Sequence, residues 1–199
     1  LTAAGATKAQ FENFFLFPTC AAAFYRFKDG GWDIVYEHVL TEEEKQKIYA
    51  AFDKVFGELH YQHPEKIYGA TPIQDRRTQV AFAPLGQSAP VVEKMAWAKI
   101  NNPLRLHMRE LLEQELPEFE VSIGGITTID ISRKGIDKAY GIKQMELHLG
   151  VPKEQMLYFG DLFMPGGNDY PVKELGVECV EVNNPDETKE KIKAILEMK

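Results

Sequence analysis

Strand-like and helix-like stretches alternate through the last third of the chain, and this alternation restricts the fold more than any other feature. Thr127–Ser132 is β-branched and strand-like. Residues 138–149 have helical spacing and stop at Gly150-Val151-Pro152, a strong terminator. Residues 156–159 form a short apolar run of buried-strand type, and 172–175 reads as a helix ended by Gly176. Residues 177–182 read as another strand. Residues 185–198 read as a charged amphipathic helix, with Asp186 and Glu187 placed where acids favour the helix dipole. Repeated strand–helix units imply right-handed crossovers and a parallel sheet.

The middle of the chain has another rhythm. Residues 22–36 read as a hairpin turning at Lys28-Asp29-Gly30-Gly31. Thr41 followed by Glu44 is a capping box opening an amphipathic helix to Phe56. Thr78–Ala83 reads as a strand, residues 103–116 as a helix and Phe119–Ile123 as a strand ending at Gly124-Gly125. This is an α+β pattern. The expected organisation is an α/β parallel-sheet core from residues 1–19 and 126–199, with an α+β domain inserted over residues 20–125.

The bulk numbers narrow the function. The chain has 199 residues, 44% of them hydrophobic, enough to bury a core. A formal net charge of −7 disfavours a nucleic-acid surface. Bound phosphate must then be held by local cations or a metal. No apolar run approaches the ~20 residues of a membrane span. Cys20 and Cys179 match no zinc spacing and read as buried reduced thiols of a cytoplasmic protein. The five histidines form no metal or catalytic pair. Phe14, Phe15 and Phe17 read as core, and Trp32 as hairpin packing.

The stretch "YFGDLFMPGGNDYPVKELG", residues 158–176, places Asp161 after a buried strand and Asp169 beside Asn168 at a helix start. Ligands of open α/β sheets bind outside the carboxyl ends of strands. Carboxylates and an amide oxygen are hard ligands suited to Mg²⁺. Helix capping by the same acids is the plainer alternative. In "GIDKAYG", residues 135–141, Lys138 opens a helix, where a lysine opposes the dipole. It either points into a cleft or is solvated.

Together these two stretches resemble motifs III and IV of the haloacid dehalogenase (HAD) phosphotransferase superfamily. The long insertion resembles the type IIB cap of the Cof and phosphomannomutase branch. "DRRTQVAFAPLGQ" and "SIGGITTIDISRKGIDK" are similar to its cap and cap-to-core segments. The resemblance implies a Rossmann-like core with an α+β cap, Mg²⁺ as cofactor and a small phosphate ester as substrate. It implies Asp161, Asn168 and Asp169 as metal-site residues. It implies Lys138 as the catalytic lysine that pairs with phosphate and nucleophile. Arg76 matches a phosphate-gripping cap arginine. Thr128 and Asp130 fall near substrate. Gln87 and Lys94 fall where the branch has arginines, a weaker grip that tilts the reading toward a phosphatase over a mutase.

The superfamily's aspartate nucleophile lies in an Asp-x-Asp-x-Thr motif, and no such motif occurs here. Residues 1–15 resemble the motif II region, with Ala4, or Thr2, at the phosphoryl-binding position. The nucleophile segment is expected to precede Leu1 in the full protein. The expected function is a Mg²⁺-dependent HAD phosphatase acting on a sugar phosphate through an aspartyl-phosphate. The alternatives are a phosphomannomutase or a catalytically inactive sugar-phosphate binder. The expected state is a monomer or homodimer.

Overall fold

The computed structural model describes residues 5–198, so Thr2 and Ala4 lie outside the described residues. The chain divides after Asp137 into two compact units.

The first unit opens with α1 (Lys8–Glu12), capped by Thr7 and Gln10, and β1 (Phe15–Leu16). The turn α2 (Pro18–Ala21) follows, in which Thr19, Cys20 and Ala21 have φ of 52°, 56° and 65°. β2 (Ala23–Lys28) and β3 (Gly31–Glu37) then form a hairpin. Asp29 and Gly30 turn it with positive φ, as a tight right-twisted hairpin requires. β1 pairs antiparallel with β2, giving a three-stranded sheet. The N-terminal segment was expected to join the C-terminal core; its described residues belong here instead. Register explains this: Phe15 faces Arg26 and Leu16 faces Tyr25 across a strand pair. Phe11 stacks near Phe27 and Trp32. Phe14 is not core, since it is 39% exposed beside Trp32.

α3 (Glu42–Glu58) starts at the expected capping box: Thr41 Oγ1 accepts from Glu44 N at 3.1 Å, and Glu44 Oε2 from Thr41 N at 2.6 Å. Its apolar residues Ile48, Ala51, Phe52 and Val55 share one face and are buried. They pack on the four-stranded antiparallel sheet β4-β5-β7-β6, formed by β4 (Ile73–Asp75), β5 (Val80–Phe82), β6 (Phe119–Gly124) and β7 (Thr128–Arg133). Strand alternation sends Val80, Phe82, Val121, Ile129 and Ile131 to that core, each side chain contributing roughly 1.5–3 kcal/mol. The opposite face carries Ala81, Ser122, Thr128, Asp130 and Ser132, aligned in register: Asp130 lies between Ala81 and Ser122.

Two expectations fail here. The strand at 127–132 does not belong to the parallel core. β6 and β7 are joined across Gly124-Gly125, which forces an antiparallel hairpin, so the first unit extends past residue 125. The helix expected from Pro103 is α4 (Val91–Glu115), with Pro103 inside it. Proline prefers a first turn, which suggested a start at that point. The preceding half exposes Val91, Val92, Met95 and Ile100 and so has no buried stripe to signal it.

The second unit contains α5 (Lys138–Leu149), a 3-10 turn at Lys153–Gln155, β8 (Leu157–Gly160), α6 (Tyr170–Glu174), β9 (Glu178–Glu181) and α7 (Pro185–Glu197). β8 and β9 pair in parallel across the α6 crossover, as the alternation implied. Ile142, Val172 and Val177 form the small core, with Tyr158 and Met156 against it. Among the described residues no helix is long and apolar enough to cross a membrane.

Candidate active site

The loop after β8 is built around the carboxylate of Asp169, whose residue is 0% exposed. Oδ2 accepts the backbone N–H groups of Asp161 and Leu162, each at 2.9 Å. Oδ1 accepts from Lys138 Nζ at 2.5 Å and from the Tyr158 hydroxyl at 2.5 Å. An ionised carboxylate offers about four lone-pair sites, and all four have protein donors. Burial pushes the Asp169 carboxyl upward, but the bonds from Lys138 and Tyr158 outweigh it and hold the carboxyl below its usual range.

Gly160 makes this nest possible. A Cβ there would stand 2.7 Å from Asp169 Cγ and Oδ2. Only glycine lets the strand end approach the carboxylate so closely. Gly167 closes the other side of the loop, where a Cβ would run into the Leu162 carbonyl oxygen.

Lys138 stands at the first position of α5 and also donates to Asn168 Oδ1 at 3.1 Å. It is therefore paired, with its side chain still 29% exposed. Lys138, Asp161 and Asp169 line an open cleft of about 340 Å³, together with Asn184 and Thr188 at the start of α7. Asp161 is exposed there. Partial desolvation and the neighbouring Asp169 charge push its carboxyl above the usual range. A carboxylate in that situation gains from an added cation.

The three expected metal-site residues thus differ. Asp161 is exposed in the cleft, where the Lys138 charge only partly offsets its desolvation and the Asp169 charge. All four acceptor positions of Asp169 are taken by protein donors. The Asn168 oxygen already accepts from Lys138. Among the described residues no group of three or more His, Cys, Asp or Glu could hold a metal.

In the first unit, Arg76 donates to Gln74 Oε1 at 2.9 Å and to Gln79 Oε1 at 3.1 Å, and its Nη1 lies 3.6 Å from Asp130 Oδ1. Thr128 lies two positions from Asp130 on the same sheet face. Lys94 Nζ donates to the Gln87 carbonyl at 2.8 Å, while Gln87 Nε2 is buried without a hydrogen-bond partner among the described residues.

Arg105 and Tyr158 escaped the sequence reading. Arg105 sits at a core position of α4, on the stripe with Met108 and Leu112, and is 5% exposed. Among the described residues its one hydrogen bond runs from Nη1 to Gly125 O at 3.4 Å, and Nε has none. An arginine at an apolar position of a helical stripe was the available signal. For Tyr158 it was a tyrosine in a buried strand, whose hydroxyl needs a partner.

Residues 38–198 match the family described as "Eukaryotic phosphomannomutase". The chain is 30% identical over 131 residues to phosphomannomutase of Encephalitozoon cuniculi, covering 62% of this chain and 49% of that one. It is 29% identical over 133 residues to phosphomannomutase of Drosophila melanogaster, covering 64% and 52%. It spans about half the length of the curated relatives it matches. In fold it is similar to an IMP-bound, N-terminally truncated IMP-nucleotidase of Plasmodium falciparum, with TM-score 0.68, 17% identity, and coverage of 96% of this chain and 50% of that chain. The family match spans most of the chain: it belongs to the eukaryotic phosphomannomutase family.

Proposed function

We propose that this chain serves a sugar-phosphate phosphotransferase of the phosphomannomutase kind, in preference to a phosphatase. The observation that carries the reading is the Asp169 carboxylate holding Lys138 beside the exposed Asp161 in one cleft. The family match supports transfer over hydrolysis. The shortage of cap cations that favoured a phosphatase is also eased by Arg105, a buried guanidinium with no acid partner among the described residues.

Asp161 is proposed to hold Mg²⁺, a hard cation that takes oxygen ligands. Bound there, the ion would neutralise charge on the phosphoryl oxygens. Lys138 is proposed to orient the phosphoryl group and add positive charge. Asp169 fixes Lys138 rather than the metal. In the first unit, Arg76, Arg105 and Lys94 are proposed to bind a phosphate of the substrate, with Gln87, Thr128 and Asp130 orienting its polar groups. No Asp-x-Asp-x-Thr stretch occurs in the 199 residues. The chain's own residues are therefore proposed to bind, orient and neutralise.

Calorimetric titration with inorganic phosphate and mannose 1-phosphate, with and without Mg²⁺, tests this. Binding that needs Mg²⁺ and disappears in Asp161→Ala is expected. Phosphate binding indifferent to both Mg²⁺ and Asp161 would remove the reading. In turnover assays, mannose 6-phosphate formed with a bisphosphorylated sugar supports the mutase, and release of phosphate alone supports hydrolysis.

A further inference from the structure

The hydroxyl of Tyr158 meets the same oxygen of Asp169 that Lys138 uses. Its ring is already accounted for by packing, T-shaped on Phe163 at 6.1 Å and against the Ile142-Val172-Val177 core. A phenylalanine would fill that space equally well. The hydroxyl therefore contributes something the packing does not need.

Its effect follows from the geometry. Oδ2 of Asp169 is pinned by two backbone amides. Oδ1 is pinned from the protein side by Tyr158 and touched from the cleft side by Lys138. An ammonium has three donors, and Asn168 and Asp169 take two of those on Lys138. The third is available to an anion in the cleft. With Tyr158 present, Oδ1 is shared and the lysine is held in one place. With the hydroxyl gone, that oxygen belongs to Lys138 alone. The flexible four-carbon stem can then settle more deeply on Asp169, drawing charge away from the cleft.

We propose that Tyr158 is a positioning residue: through Asp169 Oδ1 it sets where the Lys138 ammonium stands, and so how strongly the cleft binds a phosphate group. This inference rests on the phosphate-binding reading above.

Inorganic phosphate binding in the presence of Mg²⁺ is to be measured for the wild type, Tyr158→Phe, Lys138→Met and the double variant. The expected losses are about fivefold for Tyr158→Phe and at least about tenfold for Lys138→Met, with no further loss in the double variant. Independent, multiplying losses would overturn action through Lys138, as would wild-type affinity in Tyr158→Phe. A second readout needs no ligand: the ¹⁵Nζ ammonium resonance of Lys138, expected to be exchange-protected in the wild type and to shift or broaden in Tyr158→Phe. An unchanged resonance overturns the proposal. If the wild type binds no phosphate, the phosphate reading fails, and the resonance alone decides the role of Tyr158.

Discussion

Lys138 and Asp169 face each other across the mouth of the second unit with 2.5 Å between Nζ and Oδ1, and Asp169 is the buried partner. The two acids of the loop therefore have opposite relations to stability. Asp169→Asn removes the charge that two amides, a hydroxyl and an ammonium all converge on, and should cost about 3–5 kcal/mol. Asp161→Asn should change stability by no more than about 0.5 kcal/mol, because the fold holds that charge at a disadvantage. Its expected defect is lost Mg²⁺ binding. Urea unfolding of both variants, with calorimetry for the metal, checks the contrast.

Gly160 tolerates no side chain. Alanine there drives its methyl into Asp169 Cγ, and the carboxylate cannot retreat without giving up amide bonds from Asp161 and Leu162. Gly160→Ala is expected to lose about 1–3 kcal/mol in chemical denaturation. Gly31→Ala, where the added atom meets open space, serves as the neutral comparison.

Arg133 on β7 forks onto Glu44 of α3, with 2.7 Å to each carboxylate oxygen. The Arg133 hydrogen bonds hold the Glu44 carboxyl down at about 2, against burial that would raise it, with the Thr41 backbone N–H helping. A depressed carboxyl stabilises the fold above its unfolded value of about 4.3, and that contribution fades as pH falls toward the folded value. Glu44→Gln should lose about 1–2 kcal/mol at pH 7, discounting for partial exposure, and show a shallower fall in stability between about pH 5 and 2. Urea unfolding free energies measured across that range for both proteins provide the test.

Arg105 predicts the reverse trade. A buried guanidinium that has, among the described residues, a single long hydrogen bond and no acid beside it is a burden on the native state. Arg105→Met keeps the volume and drops the charge, so melting should move upward, by the equivalent of about 1 kcal/mol or more. Sugar-phosphate affinity should fall in the same variant. Differential scanning calorimetry with and without mannose 1-phosphate reads both effects; a drop in melting temperature without ligand would contradict this account.

The sequence showed what local rules control. The capping box at Thr41 and Glu44, the Asp29-Gly30 turn, and the span of α5 follow from side-chain chemistry within a few residues. It hid what depends on distant partners. Nothing near Thr128–Arg133 says whether that strand pairs in parallel or antiparallel; its partners β5 and β6 decide it. The start of α4 was hidden because its first half buries little. At the candidate site the residue types were legible and their division of labour was not. Asp161 and Asp169 look alike in a loop, and only the four donors around Asp169 set the holder of Lys138 apart from the exposed acid of the cleft.

Thr19, Cys20 and Ala21 stand together in the left-handed basin, a stretch that L-residues enter at a cost of roughly 1–2 kcal/mol each. The segment is held by the Thr19 hydroxyl on Thr78 at 2.7 Å and by Tyr36 donating to Ala21 O at 3.0 Å. Glycine would sit there with no such penalty. Ala21→Gly would relieve that strain, offset in part by the freedom glycine regains in the unfolded chain.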